Sequence, residues 1–267
     1  MIFPFNPRLN FRIIAKNYPC LTTPKTNKSL DLVHPCYNPH PGWAEDLIRH
    51  YTLFMSRIPT DVVVHVYVVD DGSKHGVHSE DIDQLQQSIP HFTFIPLSQN
   101  LGKGGALRHA IRQSQGDLVI YTDADYPYKM ENAWEMYQRL AVGNADVVVG
   151  VRDEQYYDQL PFRRKIFSLS LKLMNYLFFP GLKVKDTQSG LKGFNAKGKA
   201  LFLKTTISAF LFDMEFLVLV SKQKDIQMEW IYVQVREGIH FSTMKPRTIL
   251  TELFNFASIL IRGFFSK

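Results

Sequence analysis

Six of the eight residues from Val62 to Val69 are valine, and a near-continuous β-branched run of this kind suits a strand buried on both faces. Such a strand needs helices above and below it. Ahead of it, Trp43, Leu47, Ile48, Tyr51, Phe54, Met55 and Ile58 recur at helical spacing. Beyond it, the pattern predicts a helix over 80–88, a strand over 92–95, a helix over 103–115, a strand over 118–122, a helix over 131–142 and a strand over 146–149. Residues 30–33 open the series as a short strand, ended by a turn that the prolines of His34-Pro35-Cys36-Tyr37-Asn38-Pro39 force. This alternation implies an α/β fold with a mostly parallel sheet flanked by helices. In such sheets, ligands sit beyond the carboxyl ends of the strands.

Composition narrows the class. The 267 residues, 45% of them hydrophobic, with only Cys20 and Cys36 as cysteines, exclude collagenous, coiled-coil, disulfide-scaffold and wholly disordered chains. Two cysteines so near the N-terminus point to a reducing compartment. The net charge of +6 is unevenly spread. Residues 1–30 carry five basic residues and no acid, 45–158 carry nine basic against seventeen acidic, and 159–204 carry ten basic against Asp186 alone. An acidic half followed by a basic stretch asks for a cation in one place and an anion in another. Residues 1–29 are basic and aromatic without an uninterrupted apolar core, which argues against a secretory signal and for a loosely ordered extension.

Three successive strand ends carry unusual polar groups. Asp70 and Asp71, in Val69-Asp70-Asp71-Gly72-Ser73, could accept hydrogen bonds from a nucleobase imide or a ribose hydroxyl, or could simply form an Asp-Gly turn. Asn100-Leu101-Gly102-Lys103-Gly104-Gly105 runs into a helix, where exposed amides and Lys103 could meet a phosphate or sugar diphosphate. It is not a P-loop, because no Ser or Thr follows the lysine. Asp123 and Asp125 are spaced so that, on an extended chain, both point the same way, and two hard oxygen ligands suit Mg²⁺ or Mn²⁺.

This ordered series, with Pro35-Cys36-Tyr37-Asn38 before it, resembles glycosyltransferase family 2. The later segments Asp186-Thr187-Gln188-Ser189-Gly190-Leu191-Lys192-Gly193-Phe194 and Phe212-Asp213-Met214-Glu215 resemble those of the dolichyl- and polyprenyl-phosphate glucosyl- or mannosyltransferases. The resemblance covers roughly residues 30–250. It implies a GT-A fold, Rossmann-like, in a single catalytic domain over 30–247. It also implies a nucleotide-sugar donor held by Pro35, Tyr37, Asp70, Asp71, Lys103 and Asp123, and a divalent cation held by Asp123 and Asp125. Arg152, Arg164, Lys165 and Ser168 resemble segments that grip a lipid phosphate, while Asp186, Gln188 and Lys192 are expected to orient the sugar and its loop. Pro39 stands where many relatives have an acid, and His34 interrupts a usually aliphatic strand.

A hydroxyl acceptor needs a general base, for which Asp213 and Glu215 are the candidates. A phosphate acceptor needs cationic groups instead, and the basic stretch supplies them. With inversion and a nucleotide-sugar donor implied by the family resemblance, the expectation is an inverting, metal-dependent transferase moving a hexose from a UDP- or GDP-sugar to a polyprenyl phosphate at the cytoplasmic membrane face. Transfer to a glycan hydroxyl, sugar-nucleotide synthesis and a noncatalytic nucleotide-sugar-binding module are its rivals. Nucleic-acid binding is disfavoured by acidic strand ends. Residues 248–267 form an amphipathic helix with a polar stripe of Thr251, Asn255, Ser258 and Arg262, either packed on the domain or lying in a membrane interface. Its uncharged stretch from Leu253 to Ile261 is far short of the roughly 20 apolar residues a span requires.

Overall fold

The computed structural model describes residues 29–142, 145–153, 156–157, 160–236 and 246–265, with the side chains of 163–164, 246–247 and 263–265 left out of that description. The expected basic extension, apart from Ser29, lies outside the described residues. The strands are β1 (Leu30–Cys36), β2 (Val64–Asp70), β3 (Phe92–Pro96), β4 (Leu118–Tyr121), β5 (Val147–Arg152), β6 (Lys192–Asn195) and β7 (Met228–Val233). Between and after them come helices α1 (Trp43–Met55), α2 (Ser79–Ser88), α3 (Lys103–Gln113), α4 (Met130–Ala141), α5 (Phe162–Phe178), α6 (Ala196–Phe202), α7 (Phe212–Ser221) and α8 (Pro246–Phe265).

All seven strands join one sheet in the order β3-β2-β1-β4-β6-β5-β7. Every pairing is parallel except the two made by β6, which runs against both β4 and β5. The alternation of side chains along a strand divides the core in two. Val33, Tyr67, Val69, Val119, Tyr121 and Phe194 face one cluster, covered by α3, α6, α7 and by Phe256 and Ile259 of α8. Leu30, Leu32, Val66, Val68, Leu118 and Ile120 face the other, covered by α1 and α4. Phe202 is the hub of the first, with its ring within 5.3–6.1 Å of those of Tyr121, Phe194, Phe212 and Phe216.

The expected turn at the prolines does not begin where the sequence places it, because β1 continues through Pro35 to Cys36. The register explains this. β4 pairs with β1 only as far as Val33, whereas β2 pairs with it to Cys36. Pro35 therefore lies where β1 has lost one neighbour, so its missing N–H costs no ladder bond on that side.

His34 is fully buried in this strand. Its Nδ1 lies 3.1 Å from the Thr122 carbonyl oxygen and its Nε2 3.0 Å from the Tyr126 hydroxyl. A neutral ring satisfies both by donating to the carbonyl and accepting from the phenol. Burial, which outweighs the help of the Thr122 carbonyl and Asp123, pulls its pKa from 6.5 down to about 4. Between these values the unfolded chain binds the extra proton and the folded chain refuses it, so stability is lost as pH falls from 6.5 towards 4. The loss is on the order of 3 kcal/mol. Urea denaturation at several pH values should show this slope, and His34→Asn should remove about one proton of it. An unchanged slope in the variant would refute the assignment.

Candidate active site

The carboxyl ends of β1, β2, β3 and β4 open onto one edge of the sheet. Because β6 is antiparallel, its first residue, Lys192, sits at that edge too, directly opposite Tyr121. A cleft of about 910 Å³ lies there, lined by Pro35–His40, Trp43, Asp71, Asn100, Gly102, Lys103, Asp123–Asp125, Ala209, Phe210 and, from α8, Thr248, Thr251 and Glu252. Of the residues expected to bind nucleotide and metal, Pro35, Tyr37, Asp71, Lys103, Asp123 and Asp125 meet in this cleft.

Asp70 does not line it. Its Oδ1 accepts the Ser73 N–H at 3.0 Å, closing the Asp-Gly turn. Gly72 has φ +70°, and a Cβ there would meet the Gln99 carbonyl carbon at 2.7 Å, so the turn rests on the glycine-rich loop. Asp71 fastens that loop by accepting the Leu101 N–H at 2.6 Å. Burial raises the pKa of Asp71, partly offset by the Leu101 and Gly102 amides.

The glycine-rich loop corrects one expectation. Its amides are largely spent within the protein: Leu101 N–H on Asp71, Gly102 N–H on Asn100 Oδ1 at 3.1 Å, and Gly104 N–H on the Ser208 carbonyl at 2.8 Å. A Cβ at Gly104 would meet Ile207 O and Phe212 Cβ at 2.6 Å. That glycine thus serves close approach of α3 to the 205–212 segment rather than a phosphate cradle. Lys103 is the group of this loop that points at charge, through an ion pair with Asp123 Oδ1. Burial works against its ammonium, but Asp123 and then Asp213 outweigh it and hold the pKa above the ordinary value.

Asp123 and Asp125 converge without an extended chain. The Tyr126 N–H donates to the Asp123 carbonyl at 3.0 Å, making a turn in which Tyr126 has φ +44°. Arg236 clamps that turn, donating to the carbonyls of Tyr126 at 2.8 Å and Asp125 at 2.9 Å. Asp125 Oδ1 is buried with no hydrogen-bond partner. Burial, and then the Asp123 charge, raise the pKa of Asp125. An orphaned oxygen beside a second carboxylate is what a hard divalent cation relieves. Among the described residues no group of three or more His, Cys, Asp or Glu side chains gathers as a metal site. A cation held by these two acids would complete its shell from the ligand, as Mg²⁺ does with substrate phosphates.

Of the residues expected at the acceptor phosphate, Arg152, Lys165 and Ser168 do not line this cleft. Arg152 forks onto Asp186, with contacts from 2.5 to 3.1 Å and both side chains buried, and lies over the rings of Tyr156 and Tyr157. It is a structural ion pair and offers no free guanidinium to a lipid. Asp186 is likewise spent and cannot hold the sugar. Ser168 is buried, Lys165 half-buried on α5, and the side chain of Arg164 lies outside the described residues. Gln188, half-buried, donates to Thr187 Oγ1 at 3.3 Å. Lys192 has 0% exposure and cannot touch a sugar directly. Its ammonium donates to the Thr187 and Ser189 carbonyls at 3.3 and 2.5 Å and pairs with Asp213 at 2.9 Å.

Neither candidate base lines the cleft. Asp213 accepts the Tyr121 hydroxyl at 2.5 Å besides pairing with Lys192. Glu215 accepts from Thr206 N–H at 2.8 Å, Thr206 Oγ1 at 2.9 Å and Ile207 N–H at 2.8 Å, and pairs with Arg262 of α8 at 3.3 Å. Both carboxylates hold the fold. Sequence reasoning missed Glu252, 2% exposed, whose two oxygens accept the Phe210 and Leu211 N–H groups at 3.1 Å each and so cap α7. The one signal was an acid embedded in the polar stripe of α8. Arg236 and Phe210 had no local signal at all.

α8 has one face packed on the domain and another that is exposed. Phe256 packs edge-on against Phe178 and Phe179, and Glu252, Phe256 and Ile259 are buried. Leu250, Leu253, Phe254 and Ile261 are exposed, as are Phe162, Ile166, Leu169, Leu173, Tyr176 and Leu177 of α5. No helix among the described residues is long and apolar enough to cross a membrane.

Known proteins are similar to this chain in sequence and in fold. The chain is 26% identical over 210 residues to a dolichyl-phosphate beta-glucosyltransferase of Dictyostelium discoideum, covering 74% of this chain and 64% of that protein. It is 27% identical over 190 residues to the dolichyl-phosphate beta-glucosyltransferase of Saccharomyces cerevisiae, covering 64% of this chain and 57% of that one. The chain thus spans about three fifths of the length of these relatives. Among solved structures, glucosyl-3-phosphoglycerate synthase from Mycobacterium tuberculosis, in complex with Mn²⁺, UDP and phosphoglyceric acid, aligns at TM-score 0.58 and 17% identity over 90% of this chain and 78% of its own. Mannosyl-3-phosphoglycerate synthase from Rubrobacter xylanophilus aligns at TM-score 0.61 and 16% identity over 90% and 75%. These likenesses establish the GT-A fold. The family model for glycosyl transferase family 2 matches residues 32–207, about two thirds of the sequence, and the chain belongs to that family.

Proposed function

We propose that the protein transfers a hexose from a UDP- or GDP-sugar to a polyprenyl phosphate, with inversion, at the cytoplasmic face of a membrane. The observation that carries this reading is that the two carboxylates expected as bases, Asp213 and Glu215, stand outside the cleft with their oxygens engaged. Asp213 and Glu215 are spent on Lys192, Tyr121, Thr206, Ile207 and Arg262, and within the cleft Glu252 caps α7 and Asp71 anchors the Leu101 amide. A sugar hydroxyl would need a base free to take its proton, a role that neither Asp213 nor Glu215 is free to fill. A phosphate monoester is already anionic and needs none. The relatives named dolichyl-phosphate beta-glucosyltransferases support the same acceptor class.

Tyr37, about half exposed beside Pro35, offers a ring face to the base, and Asp71 offers a carboxylate to the base or ribose. Asp123 and Asp125 would hold Mg²⁺ or Mn²⁺, which when bound supplies positive charge at the leaving diphosphate. Lys103 adds its ammonium at the same place. The acceptor oxygen attacks the anomeric carbon as the carbon–oxygen bond to the nucleoside diphosphate breaks, and no proton moves. The exposed apolar faces of α5 and α8, with Lys165 and Lys172 on α5, suit a bilayer surface that presents the lipid phosphate.

Incubation with Mn²⁺ and a panel of UDP- and GDP-sugars, with and without a short polyprenyl phosphate, should yield a glycosylated lipid phosphate by mass. Asp123→Asn should lower the rate about a hundredfold or more. Transfer to a soluble glycan with none to the lipid would overturn the acceptor. In the same assay Glu215→Gln should keep kcat within about threefold in whatever fraction remains folded, whereas loss of a true base removes about 10²–10⁴. Sedimentation with anionic vesicles should bring the protein down, and Phe254→Glu or Leu173→Glu, both at exposed positions, should each weaken partition about tenfold without lowering the melting temperature. Equal partition by the variants would dismiss the membrane face.

A further inference from the structure

The segment 186–190 enters the site between β5 and β4 and is held along its length. At its start, Asp186 is locked by the Arg152 fork. Along its side, a Cβ on Gly150 would meet Ser189 Oγ at 2.7 Å, so the segment lies flush on β5. Beneath it, Lys192 spends its three ammonium protons on the Thr187 carbonyl, the Ser189 carbonyl and Asp213. Asp213 is itself fixed by the Tyr121 hydroxyl. At its tip, the Gly190 N–H donates to the Tyr128 hydroxyl at 3.2 Å. A Cβ on Gly190 would stand 2.6 Å from Asp123 Oδ2 and 3.3 Å from Lys103 Nζ. The backbone of Gly190 is therefore the surface against which the Asp123 carboxylate rests.

A buried ammonium–carboxylate pair is a poor device for stability, since an apolar pair of similar volume often does as well or better. Lys192 differs from an inert pair in where its other two protons go, which is to the carbonyls of Thr187 and of Ser189, the residue before Gly190. We propose that Lys192 is a positioning residue for Asp123: through the 187–190 backbone it sets the height of Gly190 and hence the direction of the carboxylate that faces the cleft. This rests on the reading that Asp123 helps to hold a divalent cation. Asp213, in this arrangement, is the fixed counter-ion of Lys192.

The test reads metal binding rather than turnover. Free Mn²⁺ is followed by electron paramagnetic resonance while the ion is titrated into the protein with saturating UDP, alongside thermal midpoints. Asp123→Asn should abolish the binding. Lys192→Met/Asp213→Asn removes both charges together and keeps an oxygen for the Tyr121 hydroxyl. It should stay near the wild-type midpoint yet bind Mn²⁺ about tenfold more weakly, the lower end of the usual effect of outer-sphere changes on metal affinity. Gly190→Ala, which pushes on the carboxylate from the other end of the same contact, should weaken Mn²⁺ at least as much. Wild-type affinity in both variants, with Asp123→Asn still dead, would overturn the positioning role and leave the metal reading standing. Undiminished binding by Asp123→Asn would overturn the metal reading and the positioning role with it. If the double variant fails to fold, Gly190→Ala decides alone.

Discussion

An ammonium with no path to water, that of Lys192, can persist in a core only if the backbone and a carboxylate come to it. Here they do, and much else follows from their having to. Its strand must run antiparallel so that Lys192 stands at the cleft edge beside Tyr121, the helix carrying Asp213 must abut that strand, and the segment before it must turn two carbonyls inward. Those constraints bring Gly190 to Asp123. The cleft is thus bounded by acids on one side and by a buried, internally neutralised layer beneath.

Residues with charge divide into two populations by this logic. Asp123, Asp125 and Lys103 stand at the cleft with valences that a ligand can complete. Arg152, Asp186, Lys192, Asp213 and Glu215 are of the same chemical types and at least as suggestive in sequence, yet each is satisfied by its own chain. The divided charge of the sequence remains, but several of its basic members are structural.

What could be read from the sequence was whatever depends on near neighbours. Valine runs and helical spacing reveal the parallel strands and their helices because burial of a face imposes a local period. Asp123 was legible because a residue just after a parallel strand must lie at the ligand edge, and Lys103 because it opens the helix that follows such a strand. What failed depends on partners far along the chain. Glu215 meets Thr206 and Ile207, nine and eight positions away across a loop, and Arg262 from α8, Arg152 meets Asp186, and the amide of Gly104 meets Ser208. The short strand β6 carries only Lys-Gly-Phe-Asn, too brief for a period, and its direction is set by its neighbours. The two faces of α8 illustrate the same limit: its apolar residues outnumber what one face can bury, and only packing decides which are covered.

The cap that Glu252 places on α7 ties the last helix to the rest of the domain in a way that composition does not suggest. Its carboxylate satisfies two amides that have no other acceptor among the described bonds, and Phe256 and Ile259 belong to the same core as the central strands. α8 is therefore part of the cooperative unit and not an appendage that frays by itself. The Leu211 amide can exchange its hydrogen with solvent only when its bond to Glu252 breaks. The rate of that single exchange is thus a built-in gauge of how often the contact between α8 and the start of α7, at the wall of the cleft, is lost.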